Sequence, residues 1–144
     1  MTRIVIATDG SPGARNAVEV GLDLAAHRGA EAVFVNVVPP TDWRVTHLSP
    51  PPPEPRRLEV TEEDTALLGA QELARARGVA CRIELLAGDT AAEIARLAEA
   101  VDAELVVVGS RGRGAIASAL LGSVSRALLE EARRTVVVVR GSGH

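Results

Sequence analysis

Apolar positions along the chain follow two rhythms that alternate. Arg3-Ile4-Val5-Ile6-Ala7-Thr8 is an almost unbroken apolar run and predicts a buried strand. Ser11 then offers an N-cap and Pro12 a first helical residue. Ala14, Ala17, Val18, Gly21, Leu22 and Ala25 follow at helical spacing on one face, and Gly29 closes the helix. Residues 32–38 predict a second strand. Thr61-x-x-Asp64 resembles a capping box for a second helix carrying Ala66, Leu67, Ala70, Leu73 and Ala74, ending at Gly78. Residues 80–86 predict a third strand, and its alternation (Cys81, Ile83, Leu85 against Arg82, Glu84) suggests an edge with one wet face. Thr90-x-x-Glu93 reads as a capping box for a third helix with Ile94, Leu97, Ala98 and Val101 inward. Residues 104–108 predict strand four, 123–132 a last helix, and 135–139 strand five.

Nearly continuous apolar strands separated by helices imply a parallel sheet covered on both faces, an α/β doubly wound single domain over residues 1–144. Ligands in such sheets bind outside the carboxyl ends of the strands. Three places qualify: Thr8-Asp9-Gly10-Ser11, Asn36-Val37-Val38, and the segment after strand four. Residues 39–57 break the alternation. Seven of the eight prolines fall there, which excludes helix and central strand and predicts an extended loop, read either as a stiff spacer or as a lid or partner-binding strap.

Composition removes several functions. All 16 basic side chains are arginine, so a P-loop lysine and a Schiff base are both absent. The net charge of −3 gives no electrostatic reason to expect nucleic acid, and Phe34 and Trp43 are the only aromatics, too few for a base-stacking platform. No apolar run approaches the roughly 18 residues of a membrane span. No signal peptide is evident, so a cytoplasmic location is expected. Cys81 is the single cysteine and reads as inert packing; the three histidines share no ligand-like spacing, so no protein-built metal site is expected. Asp9, Ser110 and Ser123 could meet, but no histidine lies at a predicted strand end, which leaves nucleophilic catalysis without a base.

The segment Gly109-x2-Gly112-x9-Gly122-Ser123 carries the chemistry. Gly109 and Gly112 lie where strand four ends; Gly122 and Ser123 lie where the last helix begins. Helix-start amides, bare glycine backbone and a hydroxyl suit phosphate, and Arg111 and Arg113 stand where they could add charge-assisted bonds or remain solvated. Gly112-x-Gly114-x-x-Ala117 also fits a dinucleotide fingerprint, but it follows the wrong strand, and the acids about 20 positions on fall inside a helix. Asp9 could accept from a ribose hydroxyl or adenine amine, or simply from its own Gly10-Ser11 backbone. Val37 could present backbone groups to a base edge or be an ordinary strand valine. Val136 to Val139 form an apolar row which, at an edge, is a template for pairing with a second copy.

The start IVIATDGSPGARNAVEVGLDLA, the glycine spacing and the closing TVVVVR closely resemble the universal stress protein family over nearly the whole chain, the proline loop excepted. The glycine motif is that of its ATP-binding branch. The resemblance implies a five-stranded sheet of order 3-2-1-4-5, a homodimer through strand five, and ATP in the top crevice; ATP with Mg²⁺ is the expected cofactor, and its slow hydrolysis stays open. It implies that Asp9 and Val37 hold the adenosine part, and that Gly109, Arg111, Gly112, Gly122, Ser123 and Val124 line ribose and phosphates. The expected function is a regulatory stress-response module whose nucleotide occupancy tunes an unidentified protein partner or the dimer. The alternatives are a weak ATPase and an interaction scaffold with a vestigial site.

Overall fold

A computed structural model describes residues 1–39, 54–110 and 122–140. These residues form, in order, β1 (Arg3–Ala7), α1 (Pro12–Arg28), β2 (Glu31–Val38), β3 (Arg57–Leu58), α2 (Thr65–Ala76), β4 (Cys81–Ala87), α3 (Thr90–Ala100), β5 (Leu105–Gly109), α4 (Ser123–Glu131) and β6 (Thr135–Val139). The sheet order is β3-β4-β2-β1-β5-β6. Five strands run parallel in the expected order 3-2-1-4-5; the sixth is β3, two residues long and antiparallel to Leu85–Leu86 of β4. The third predicted strand is therefore not bare along its whole length. The chain leaving residue 54 turns back along its carboxyl half, and the amide of Ala87 donates to the Arg56 carbonyl at 2.9 Å.

Side-chain alternation sorts the core into two layers. Ile4 and Ile6 of β1 and Phe34 of β2 meet Leu22 of α1 and Leu67 of α2 on one face. Val5, Val35, Val37 and Val106 meet Ile94 and Leu97 of α3 and Leu128 of α4 on the other. With both faces covered, the central strands need no polar alternation, which is why they read as valine and isoleucine runs.

Helix ends follow local chemistry, with two corrections. Ser11 Oγ accepts from the Ala14 amide at 3.2 Å and Pro12 opens α1 as expected. α2, however, begins at Thr65 rather than near Thr61: the Asp64 carboxylate accepts from the Thr61 amide at 2.8 Å and closes a turn ahead of the helix. In α3 the cap is Asp89, not Thr90, its carboxylate accepting from the Ala92 amide at 3.1 Å. Glu93, expected to reach back to that cap, is instead fully buried. Its carboxylate accepts from the Arg56 amide at 3.0 Å and pairs with Arg96.

At the opposite end of the sheet Arg134 joins α3 to the start of β6. Its Nε donates to Glu99 Oε2 at 2.7 Å and Nη1 to Asp102 Oδ1 at 2.6 Å. The hydrogen bonds from Arg134 hold the Glu99 carboxyl below the usual carboxylate range. A folded value below the unfolded one contributes stability that is present above the ordinary carboxylate range and is lost as pH falls through the folded value. Arg134→Gln is therefore expected to lower urea stability near neutral pH and to lose much of that effect at about pH 3; paired denaturation curves at the two pH values check it.

Candidate functional site

The chain runs outward through β1, β2 and β4 in one direction and through β5 and β6 in the other, so the direction of winding reverses between β1 and β5. A crevice outside the carboxyl ends of these strands is the default ligand position in such a sheet. The register places the predicted residues there. Ala7 pairs with Val35 on one side of β1 and Ile6 with Val107 on the other, so Asp9, Val37 and Gly109 stand at neighbouring strand ends.

Asp9 follows the β1 terminus, and its Oδ1 accepts from the Ser11 amide at 2.9 Å. Of the two readings of Asp9, the turn-forming one is thus realised, and the same bond holds the carboxylate at the crevice. Gly10 between them has φ +83°, a left-handed conformation that glycine adopts without strain. Val37 is buried, its side chain in the layer under α3 and α4.

Gly109 ends β5 against the first turn of α1. A Cβ built there falls 2.8 Å from the Gly13 carbonyl oxygen and 3.0 Å from its carbon. The bare backbone at Gly109 therefore serves a close approach of strand to helix, a packing need that the sequence does not announce. The start of α4 is latched to the same strand end. The Gly122 amide donates to the Ser110 carbonyl at 2.6 Å, and the Ser125 hydroxyl donates to the Gly109 carbonyl at 2.6 Å, with Ser110 O at 3.3 Å. The Gly122 amide is thus engaged by its own chain. The first-turn amides of Ser123 and Val124 have no preceding carbonyl inside the helix, and both residues are exposed.

Ser110 and Ser125, both buried, are the structural hinge pins of this end and were not among the predicted site residues. Ser125 had a signal: two residues past Ser123, it turns to the inner side of the same helical turn. Arg111, Gly112 and Arg113 lie outside the described residues, as does most of the proline-rich segment.

Residues 1–140 match the universal stress protein family. The chain belongs to that family. Universal stress protein Rv2624c of Mycobacterium tuberculosis is 32% identical over 145 residues, covering 97% of this chain and 48% of the relative. The chain thus spans about half the length of the curated relatives it matches. A solved universal stress protein in complex with cAMP superposes with a TM-score of 0.73 at 25% identity, covering 98% of each chain. A universal stress protein family member from Arabidopsis thaliana with AMP bound gives a TM-score of 0.69 at 17% identity over 99% of this chain and 94% of that one, a likeness of fold.

Within this universal stress protein, the other titratable candidates are accounted for by packing. Cys81 is half-buried and burial pushes its thiol up, away from the reactive thiolate. His27 Nδ1 lies 2.8 Å from the Asp23 carbonyl in the last turns of α1. Among the described residues no group of three or more His, Cys, Asp or Glu side chains is placed to hold a metal ion, and no helix is long and apolar enough to cross a membrane.

Proposed function

We propose that this chain is an adenine-nucleotide-binding module, with ATP and Mg²⁺ as the working form, whose occupancy regulates a partner or the dimer. One observation carries the reading. The β1 end bearing Asp9, the β2 end bearing Val37 and the start of α4 converge where the winding reverses, the last held there by the Gly122–Ser110 bond. Asp9 would take a ribose hydroxyl or the adenine amine. Val37 lies on the sheet face that also carries α4 and would wall the base. The Ser123 and Val124 amides, with the Ser123 hydroxyl, would meet phosphate at the positive end of the α4 dipole. Gly109 would act through packing, while Arg111, Gly112 and Gly122 would complete the phosphate side. The cAMP-bound relative supports an adenine nucleotide in this fold. Calorimetric titration with AMP, cAMP, ADP and ATP, with and without Mg²⁺, tests the proposal; one site per chain, tightest for ATP with Mg²⁺, is the expected result, and no heat with any of the four rejects it.

A homodimer belongs to the same reading. Among the described residues β6 is the last strand of the sheet, paired only with β5, and Val136 to Val139 are half-buried against both core layers. An edge of this kind is a ready template for a second copy. Light scattering is expected to give twice the chain mass at micromolar concentration, and Val138→Pro, which removes a backbone donor from the strand, is expected to shift the protein toward monomer. A wild-type monomer throughout rejects the dimer.

A further inference from the structure

A second concavity lies on the sheet face opposite Val37. α1 and α2 diverge there, leaving a cleft of about 410 Å³ between Thr8 and Gly10 at the end of β1, Arg15, Val18 and Glu19 on α1, and the face of α2 from Thr65 to Leu73. The gap follows from the sequence of α2, whose cleft side carries Ala66, Gly69 and Ala70. Nothing lies within 4 Å of a Cβ built on Gly69. The volume lies within the range of small-molecule sites, roughly 300–1,000 Å³.

Two polar features aim at this cleft without a protein partner. Thr8 has the parity of Ile4 and Ile6, so its side chain points to the α1–α2 face. It is 5% exposed and lines the cleft, and its hydroxyl, not sealed from solvent, has no hydrogen-bond partner among the described residues. Arg15 stands in the first turn of α1, a turn without an acidic residue and at the positive end of the helix dipole, where a cation is disfavoured. The residue is exposed, and its guanidinium forms no hydrogen bond or ion pair among the described residues. Glu19, the acid lining the cleft one turn on, is occupied by Arg77. Asp9, nearby in sequence, is turned to the Ser11 amide. The cleft thus combines an apolar wall, a hydroxyl and an exposed guanidinium, neither of them engaged by another described residue.

We propose that the α1–α2 cleft is a second ligand site, taking a small organic anion with an apolar body: the body between Val18, Ala70 and Leu73, the anionic head on Arg15 with Thr8 donating to it. This site does not rest on the nucleotide reading, since none of its lining residues is one which that reading uses. Anilinonaphthalene sulfonate, an aromatic body with one anionic head, is the probe. Fluorescence titration of the folded chain is expected to show one probe per chain, unchanged by saturating AMP. Gly69→Leu fills the cleft and replaces a helix-interior glycine by a better helix former, so it is expected to abolish the signal while Tm holds or rises. Arg15→Gln is expected to weaken the probe by about tenfold or more, the loss of one charge-assisted contact. Decanoate, an aliphatic anion, is expected to compete. Absence of probe binding, binding that survives Gly69→Leu, or displacement by AMP overturns the proposal. Parallel AMP titration of Gly69→Leu, expected to match wild type, keeps failure here separate from failure of the nucleotide reading.

Discussion

Gly109→Val is expected to lower the unfolding free energy by about 2–3 kcal/mol, the cost of forcing atoms into a filled site, and Tm by ~5–10 °C for a chain of this size. The obstacle is the first side-chain atom. A Cβ at this position meets the Gly13 carbonyl at 2.8 Å, and a helix backbone cannot rotate away as a side chain can. Gly109→Ala should therefore cost nearly as much as valine. Gly21 provides the contrast. A Cβ there meets Ile6 Cδ1 at 2.5 Å and Cγ1 at 2.7 Å, atoms of a buried side chain that can shift by a rotation while backbone cannot, and alanine recovers about 1 kcal/mol of helix propensity. Gly21→Ala should thus be the milder change despite the shorter contact. Because Gly13 belongs to the turn that Ser11 caps and Asp9 braces, the Gly109 variants should also lose nucleotide affinity in the fraction that remains folded. Thermal unfolding of the three variants against wild type decides this; a Gly109→Ala protein as stable as the parent would show that β5 and α1 are not held in contact.

Gly122→Val should do the reverse, sparing the fold and removing the ligand. Gly122 caps α4 with φ −73° and ψ 168°, an extended conformation that valine adopts readily. Its amide bond to Ser110 does not depend on the side chain, and the buried Ser125 hydroxyl still ties α4 to β5. The branched side chain would stand over the Ser123 and Val124 amides. Losing even one charge-assisted contact to phosphate is worth roughly 1.5–3 kcal/mol, so affinity for ATP should fall at least about tenfold. Calorimetry alongside thermal unfolding checks both halves. Unchanged affinity would remove the phosphate from α4, and a collapsed Tm would make Gly122 a packing residue like Gly109.

The contrast between these two glycines marks what the letters alone convey. Local signals were legible where one residue does one job: Ser11-Pro12 starts α1 and Gly29 ends it, with φ +62°. The apolar runs carried the parallel sheet because each strand is buried on both faces. The caps of α2 and α3 stand three and one residues from the expected threonines: Asp64 turns back to the Thr61 amide ahead of α2, and at α3 aspartate and threonine stand side by side, where either can cap. Thr90-x-x-Glu93 reads as a capping box because helix periodicity does not record that Arg56, 37 positions earlier, arrives over Glu93. β3 was missed for the same reason: two residues carry no period. Gly109 ends a strand as its position in the sequence predicts, yet its partner Gly13 lies on another element, and only the assembled sheet and helix show that its missing side chain admits a helix. The α1–α2 cleft is likewise a property of two helices together.

The buried carboxylate of Glu93 has a consequence for how the protein varies. The chain departs at Val38, whose carbonyl accepts from the Gly88 amide at 3.0 Å, and re-enters at Arg56, whose amide is gripped by Glu93 and whose carbonyl is gripped by Ala87. Both stems are thus sutured to a single corner between β4 and α3. Whatever length of polypeptide is spliced between them, the sheet experiences the same two anchor points, and loop closure changes only slowly with length. That corner is a natural graft point, where the passage between the two stems can be lengthened or shortened without disturbing the scaffold beneath.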